Sequence, residues 1–157
     1  MSQFEFVTKN EDETRRLGAA IGEHLQPSTL VFLEGTLGAG KSRLVQGIAS
    51  GLGIDMANVQ SPTFTLMTPH KGRLTLVHVD AYRINDLDEA EQLGLGDWLD
   101  AKAVLAIEWA ERIAAVLPPP DLGIEIEHVD EGSRRFSLTA VSESGSALLK
   151  SVSSTFA

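Results

Sequence analysis

The sequence predicts an α/β fold whose mixed sheet has a parallel core and antiparallel edge strands. Two continuous apolar runs, at residues 30–33 and 103–107, have the length of parallel strands that are covered on both faces. Beyond the prolines at 118–120, residues 122–127 and 136–140 alternate apolar and polar side chains, as antiparallel strands with one solvated face do. A length of 157 residues is typical of one domain, so residues 1–157 are expected to fold as a single unit.

The remaining elements follow from local patterns. Residues 4–8 alternate as a short edge strand does. Asn10 with Glu13 three residues later is typical of a helix N-cap and its capping box, and Pro27 is expected to close that helix. Apolar residues at helical spacing predict a second helix over 44–52.

Shorter elements are expected between the buried strands and after the last one. Two strands between residues 64 and 77 are predicted to join through a turn at 69–72. Residues 86–93 predict a short acidic helix that Gly94 and Gly96 break. The segment 144–156 is expected to be a weak helix that frays, so that the chain is weakly ordered from about residue 144.

Composition excludes several kinds of site. The chain has 22 acidic and 13 basic residues, for a net charge of −9, which argues against autonomous nucleic-acid binding because that affinity rests on Lys and Arg. It has no cysteine, and therefore no disulfide partner, thiolate metal site or cysteine nucleophile. Neither a signal-peptide pattern nor an apolar run near the roughly 20 residues of a membrane span is present, so a cytoplasmic protein without membrane contact is expected.

Residues 35–42 (GTLGAGKS) match the phosphate-binding loop G-x-x-x-x-G-K-[ST] at every fixed position. The glycines allow the backbone to close around phosphate oxygens, Lys41 brings positive charge to the β- and γ-phosphates, and the Ser42 hydroxyl can ligate Mg²⁺. The loop lies between a predicted buried strand and a predicted helix, which is the context that the motif requires. The residues expected to bind nucleotide here are Gly35, Thr36, Leu37, Gly38, Ala39, Gly40, Lys41 and Ser42.

Acidic residues at two strand ends are candidates for hydrolysis. Asp80 follows the apolar run 74–79, and Glu108 follows 103–107. Ligands of open α/β sheets bind at the carboxyl ends of the strands, where both would lie. Trp109 is either a core aromatic or a wall of the site. The hydroxyl-rich loop 61–65 (SPTFT) could sense a γ-phosphate, as a switch segment does.

The histidines, in contrast, show no metal-ligand spacing. All four are expected to be structural or solvated: His24, His70, His78 and His128.

Four segments taken together resemble the TsaE family, also called YjeE: residues 33–42, 61–66 (SPTFTL), 78–83 (HVDAYR) and 107–109 (IEW). Their order and spacing fit nearly the whole chain. The resemblance implies a small, P-loop NTPase-like three-layer fold that binds ATP with Mg²⁺. It also implies an ATP hydrolase, slow alone, that supports threonylcarbamoyladenosine formation in tRNA by acting on TsaB and TsaD. Such a protein does not transfer the threonylcarbamoyl group itself and meets tRNA only through that complex.

The resemblance also implies roles for single residues. Lys41 would hold phosphates, Ser42 and Glu108 would ligate Mg²⁺, and Asp80 would be a catalytic or metal-linked acid.

Further positions carried over from the family lie outside the phosphate loop. Thr63 and Thr65 would belong to a switch-like loop, with Thr65 among the catalytic residues. Thr14 would lie near the adenine, and Trp109 is counted with the nucleotide contacts. A late arginine near the nucleotide corresponds to Arg134, with the adjacent Arg135 as the alternative.

Two other functions remain open on the residues alone. A small P-loop kinase would phosphorylate a metabolite, but the scattered arginines do not form the cluster of a lid. A nucleotide sensor without hydrolysis would recruit a partner, and the two acids at strand ends argue against it.

Overall fold

The structure is a computed structural model that describes residues 2–35, 40–55 and 67–156. Over these ranges it has seven strands and five α-helices. The strands are β1 (Gln3–Thr8), β2 (Leu30–Glu34), β3 (Met67–His70), β4 (Leu76–Asp80), β5 (Val104–Glu108), β6 (Leu122–Asp130) and β7 (Ser133–Ala140). The helices are α1 (Glu11–His24), α2 (Lys41–Gly51), α3 (Leu87–Glu91), α4 (Leu95–Asp100) and α5 (Glu143–Phe156), with short 3-10 turns at Ala110–Arg112 and Ala114–Val116.

The strands form one mixed sheet in the order β1-β7-β6-β2-β5-β4-β3. Strands β2, β5 and β4 run parallel to one another, and β6 lies parallel to β2. Antiparallel pairing joins β3 to β4 at one edge and joins β6, β7 and β1 at the other. The predicted sheet, with a parallel core and antiparallel edges, is therefore confirmed.

Helices cover both faces of the parallel strands, which explains their unbroken apolar sequences. Every residue of β5 is buried. Ala106 packs in a core shared with α1, α2 and α5, whereas Leu105 and Ile107 belong to a second core under α3 and α4. A strand buried on both sides has no position for a solvated side chain. The result is three layers: helices, sheet, helices.

Strands β6 and β7 are covered on one face only, which explains their alternating sequences. Ile124 and Phe136 are buried in the first core, whereas Glu125 and Glu127 are exposed and Ser137 is half-buried. The direction of β6 differs in part from the expectation that both strands are antiparallel to their neighbours. Strand β6 is antiparallel to β7 but parallel to β2, because it joins the two halves of the sheet.

Helices α1 and α2 lie in backbone contact. A Cβ atom built on Gly18 would come within 2.4 Å of the Leu44 carbonyl oxygen, and one on Gly47 within 2.3 Å of the Arg15 carbonyl oxygen. Gly22 meets the Ile48 carbonyl in the same way one turn later, so the two helices run in the same direction. Only glycine permits this approach, and it places the first turns of α1 and α2 side by side.

The first helix begins as its sequence predicts. The Asn10 side chain accepts a hydrogen bond from the Glu13 backbone N–H at 2.9 Å, and Glu13 in turn accepts one from the Lys9 N–H at 3.2 Å. The helix ends at His24, with Leu25 as its cap, before Pro27. The predicted N-cap is confirmed, and the end lies slightly earlier than expected.

Two local expectations were wrong. Pro69 and His70 lie in β3 instead of in the turn, which follows them; a proline is tolerated there because β3 is an edge strand. Gly96 lies inside α4 and does not break a helix. Gly94, with φ 66°, reverses the chain between α3 and α4, and Leu95 then packs into the second core.

The last helix, α5, is packed along one side. Leu148, Leu149 and Val152 are buried in the first core, and the Phe156 ring meets the Phe6 ring edge-on at 5.4 Å between centroids. These are tertiary contacts that the expectation of a frayed segment from residue 144 did not include. Among the helices of the described residues, none is both long and apolar enough to cross a membrane.

Candidate active site

The carboxyl ends of the three central parallel strands meet at one edge of the sheet. Glu34 ends β2, Glu108 ends β5 and Asp80 ends β4. Leu33 is paired with Glu108, and Glu108 with Asp80, so Glu108 and Asp80 project from the same face of the sheet. Helix α2 begins against this edge at Lys41.

Lys41 is buried at the start of α2, with only 6 % of its surface exposed. Its ammonium donates a hydrogen bond to the Gly35 carbonyl oxygen at 2.7 Å and lies 3.6 Å from Glu108 Oε1. The same nitrogen lies 4.7 Å from the centre of the Trp109 ring. A buried charge needs such compensation, since leaving it unpaired away from water is costly.

Glu108 is held on its other oxygen by a buried histidine. His78 Nε2 lies 2.6 Å from Glu108 Oε2, and the two residues are 1 % and 5 % exposed. A carboxylate oxygen accepts hydrogen bonds, so the imidazole donates its Nε2–H. Burial lowers the pKa of His70 on the neighbouring strand β3, and the nearby imidazole of His78 lowers it further.

Trp109 forms a wall of the site. Its backbone is left-handed, with φ 59° and ψ 39°, an uncommon conformation for a bulky residue. Its ring packs on Tyr82 at 4.9 Å, and the Arg112 guanidinium lies 5.2 Å from the centre of the Tyr82 ring. The cleft beside it has a volume of about 400 Å³ and is lined by Lys41, Trp109 and Glu125 among others. Trp109 thus fits both of its open interpretations, since it lines this cleft and also packs against the second core.

Asp80 is half-buried, and its Oδ1 accepts a hydrogen bond from the Tyr82 backbone N–H at 3.0 Å. The described residues contain no group of three His, Asp or Glu that could hold a metal by itself. Mg²⁺ commonly binds through one or two carboxylates together with substrate phosphates and waters. The oxygen donors of Ser42, Glu108 and Asp80 are of the chemical kind that such an ion takes.

One side of the site comes from the antiparallel strands. The Thr8 and Thr14 hydroxyls, both buried, lie 2.7 Å apart, and Thr8 is paired with Arg134 across β1 and β7. A Cβ built on Gly40 would lie 3.7 Å from the Arg134 side chain. Arg135 projects from the opposite face of β7 and pairs with Glu127 at 2.9 Å. The structure therefore brings Arg134, and not Arg135, to the end of the phosphate loop.

Comparisons with known proteins agree with these features. A family model described as Threonylcarbamoyl adenosine biosynthesis protein TsaE matches residues 8–136. The chain belongs to the TsaE family. Two relatives named tRNA threonylcarbamoyladenosine biosynthesis protein TsaE come from Treponema pallidum and Bacillus subtilis. They are 37% and 38% identical, over 84% and 90% of this chain and 97% and 88% of their own lengths.

The fold of this TsaE-family chain has a solved counterpart. The crystal structure of YdiB from Bacillus subtilis matches it with a TM-score of 0.81 and 30% identity, over 98% of this chain and 95% of the other. The family resemblance and the three-layer, P-loop-like fold are thereby confirmed. Proteins of the TsaE family belong to threonylcarbamoyladenosine biosynthesis.

Several predicted site residues of this TsaE-family chain lie outside the described residues. They are Thr36, Leu37, Gly38, Ala39, Thr63 and Thr65. Gly35, Gly40, Lys41, Glu108, Trp109 and Arg134 are brought together, with Ser42 next to Lys41 in the first turn of α2.

His78 is the site residue that sequence reasoning missed. The absence of metal-ligand spacing predicts only a structural or solvated histidine at this position. Its signal is the period of a strand: His78 lies two residues before Asp80, so both project from the same face of β4. Pairing of β4 with β5 then brings His78 to Glu108.

Proposed function

We propose that this chain is a Mg²⁺-dependent ATPase that supports tRNA threonylcarbamoyladenosine formation by acting on a TsaB–TsaD complex. It would not transfer the threonylcarbamoyl group itself, and it would meet tRNA only through that complex. The supporting observation is the buried ammonium of Lys41, at the start of α2, beside the Glu108 carboxylate at the end of β5. A phosphate-binding cation beside an acidic residue at a strand end is the arrangement that enzymes of phosphoryl transfer use.

Lys41 would bind the β- and γ-phosphates of ATP. Its present partners are a carbonyl and a carboxylate, and phosphate oxygens are acceptors of the same kind. The backbone N–H groups in the first turn of α2 have no partners within the helix and favour an anion there. Lys41 and the helix terminus would therefore act on the same phosphate groups.

Glu108 and the Ser42 hydroxyl would hold Mg²⁺, with Asp80 as a further acid that either ligates the ion or positions water. When bound, Mg²⁺ neutralises the negative charge on the β- and γ-phosphate oxygens. The chain contributes position: Glu108 is fixed on both oxygens, and Asp80 is fixed by the turn that follows β4. Thr65, the other residue with a proposed catalytic part, lies outside the described residues.

The rest of the nucleotide would lie between the wall formed by Trp109 and the side formed by Thr14 and Arg134. A guanidinium at the end of the phosphate loop suits a polyphosphate because it makes paired, charge-assisted hydrogen bonds. The acidic surface of the chain, with a net charge of −9, favours a basic protein partner over direct contact with tRNA.

The test is phosphate release from Mg²⁺-ATP by this chain, alone and with the TsaB and TsaD proteins of the same organism. We expect slow release alone and faster release with the pair. Transfer of phosphate to a small hydroxyl compound would identify a kinase instead. Tight ATP binding without any release would identify a sensor.

The matched variant for this test is Glu108→Gln, which keeps size and removes the negative charge. We expect phosphate release to fall by about 100-fold or more, since charge stabilisation at the reacting phosphate is lost. Affinity for ATP without Mg²⁺ should change much less, as measured by calorimetry. Release that survives in Glu108→Gln would contradict the metal-site assignment.

A further inference from the structure

The buried imidazole of His78 takes no part in the function proposed above. It is 1 % exposed, and its Nε2 lies 2.6 Å from Glu108 Oε2. We infer that His78 is a positioning residue, which fixes the Glu108 carboxylate in the orientation that hydrolysis requires. The inference rests on the proposed function, because it assigns the purpose of Glu108 to ATP hydrolysis.

The two oxygens of Glu108 have different partners. Oε2 accepts the hydrogen bond of His78, and Oε1 lies 3.6 Å from the ammonium of Lys41. A glutamate side chain has several rotatable bonds, so one partner leaves its carboxylate free to rotate. Two partners on separate oxygens define the plane of the group.

The partner on Oε1 is the one that phosphate competes for. In the proposed function the Lys41 ammonium moves its hydrogen bonds to the β- and γ-phosphates. His78 is buried within β4 and is not among the described residues that line the cleft. Its hydrogen bond therefore persists when Lys41 turns to the nucleotide. From that point, among the described residues, His78 is the side chain that holds Glu108.

The other ring nitrogen distinguishes this role from plain packing. His78 Nδ1 is buried and has no hydrogen-bond partner among the described residues. Buried polar atoms are normally hydrogen-bonded, and packing alone does not explain a buried ring nitrogen without a partner. Here the ring satisfies one nitrogen only, and that nitrogen is the one that faces Glu108. The hydrogen bond therefore positions the Glu108 carboxylate, while the other ring nitrogen of His78 has no partner among the described residues.

The test compares glutamine with asparagine at position 78, because their amide groups lie at different distances from the backbone. In His78→Gln the amide nitrogen falls where Nε2 lies and can still donate to Glu108, whereas in His78→Asn it falls where Nδ1 lies and cannot. We expect His78→Asn to lower kcat for ATP by about 10- to 100-fold, the usual cost of losing the partner of a metal ligand. KM should change by less than about 3-fold, and His78→Gln should recover most of kcat.

His70→Gln is the control, since His70 is a nearby partly buried histidine on β3 that makes no contact with Glu108. We expect its kcat to equal that of the unmodified chain. Thermal melts of all variants identify any that fail to fold.

A second readout needs no nucleotide. In nitrogen NMR of the ligand-free protein, the His78 ring should carry its proton on Nε2, and its signals should shift in Glu108→Leu. A ring protonated on Nδ1 alone would overturn the inference, as would equal kcat in His78→Asn and the unmodified chain. If His78→Asn does not fold, the NMR result decides. An unmodified chain that hydrolyses no ATP overturns the proposed function, a result distinguishable from failure of His78 alone.

Discussion

The two halves of the sheet are built differently. Strands β2, β5 and β4 run parallel and are covered by helices on both faces, whereas β6, β7 and β1 are covered on one face and leave the other open. In the parallel half, all three carboxyl ends point to one edge, where Glu108 and Asp80 project from the same face of the sheet. In the antiparallel half, successive ends point in opposite directions and cannot collect residues in this way.

Most of the candidate site residues lie in the parallel half of the sheet or next to it. Lys41, Glu108, His78 and Trp109 all belong to the parallel half or to the segments that follow its strands. From the antiparallel half, Arg134 alone among the predicted nucleotide contacts reaches the described part of the site. The open face of β6 and β7 carries exposed glutamates, and no helix of the described residues packs on it.

The largest effect is expected for Lys41→Ala, in the parallel half. It removes the cation for the β- and γ-phosphates, and ATP turnover should fall by at least about 100-fold. Phosphate release and calorimetric ATP binding measure the change. The matched control is Lys150→Ala, an exposed lysine on α5, where both quantities should stay at the values of the unmodified chain. Unchanged turnover in Lys41→Ala would remove the basis of the nucleotide site.

The second-largest effect is expected on stability. It compares Gly47, which packs against helix α1, with Gly123, which has open space around it. In Gly47→Ala the new Cβ meets the Arg15 carbonyl oxygen at 2.3 Å, and overpacking of this kind costs about 1–3 kcal/mol. In Gly123→Ala, on β6, nothing lies within 4 Å of the new Cβ, so stability should change by less than about 0.5 kcal/mol. Urea unfolding of both variants gives the comparison. Equal stabilities would mean that the α1–α2 contact is not as close as described.

A third prediction tests the contribution of the antiparallel half to the site. Arg134→Ala should weaken ATP binding by about 10-fold, since a hydrogen bond to a charged group contributes about 1.5–3 kcal/mol. Arg135→Ala removes the same side chain from the opposite face and only breaks its ion pair with Glu127. Its ATP affinity should stay near that of the unmodified chain, and an equal loss in both variants would contradict the assignment to Arg134.

The smallest effect is expected on the acidic helix α3, outside both halves of the sheet. Reversal of Asp88 and Glu91 to lysine changes exposed charges and leaves the Asp86 cap and its hydrogen bond to Glu89 intact. We expect pull-down of the TsaB–TsaD pair to weaken by a few-fold, more at low salt than at high salt, as screening predicts. ATP turnover of the chain alone should not change. Salt-independent, unchanged pull-down would exclude α3 as the docking element.

The sequence predicted most of the elements that carry the site, because those elements are local. An apolar run that ends in an acid, or a glycine loop before a helix, is visible within ten residues. The choice between Arg134 and Arg135 was not, since it depends on the pairing of Arg134 with Thr8, more than a hundred residues away along the chain. The partnership of His78 and Glu108 depends in the same way on the register of β4 and β5.

Failures of prediction near residues 69–72 and 94–100 have a different cause. Proline and glycine, as at Pro69 and Gly96, usually indicate the end of an element, but the position of the residue in the tertiary structure decides the exceptions. Proline is compatible with an edge strand, and β3 is at the edge only because of the strand order of the whole sheet. Gly96 is exposed in the first turn of a short helix, where no packing excludes it.

The glycine contact between α1 and α2 determines the spacing between the two helices where they border the candidate site. Because their backbones touch over successive turns, no side chain lies between the two helices there, and the first turn of α1, with Thr14, is held beside the first turn of α2, with Lys41. A ligand that contacts both helices must therefore match the spacing between their first turns. The distance between this helix pair and the strand end that carries Glu108 is set instead by side-chain contacts, such as the one between Lys41 and Glu108.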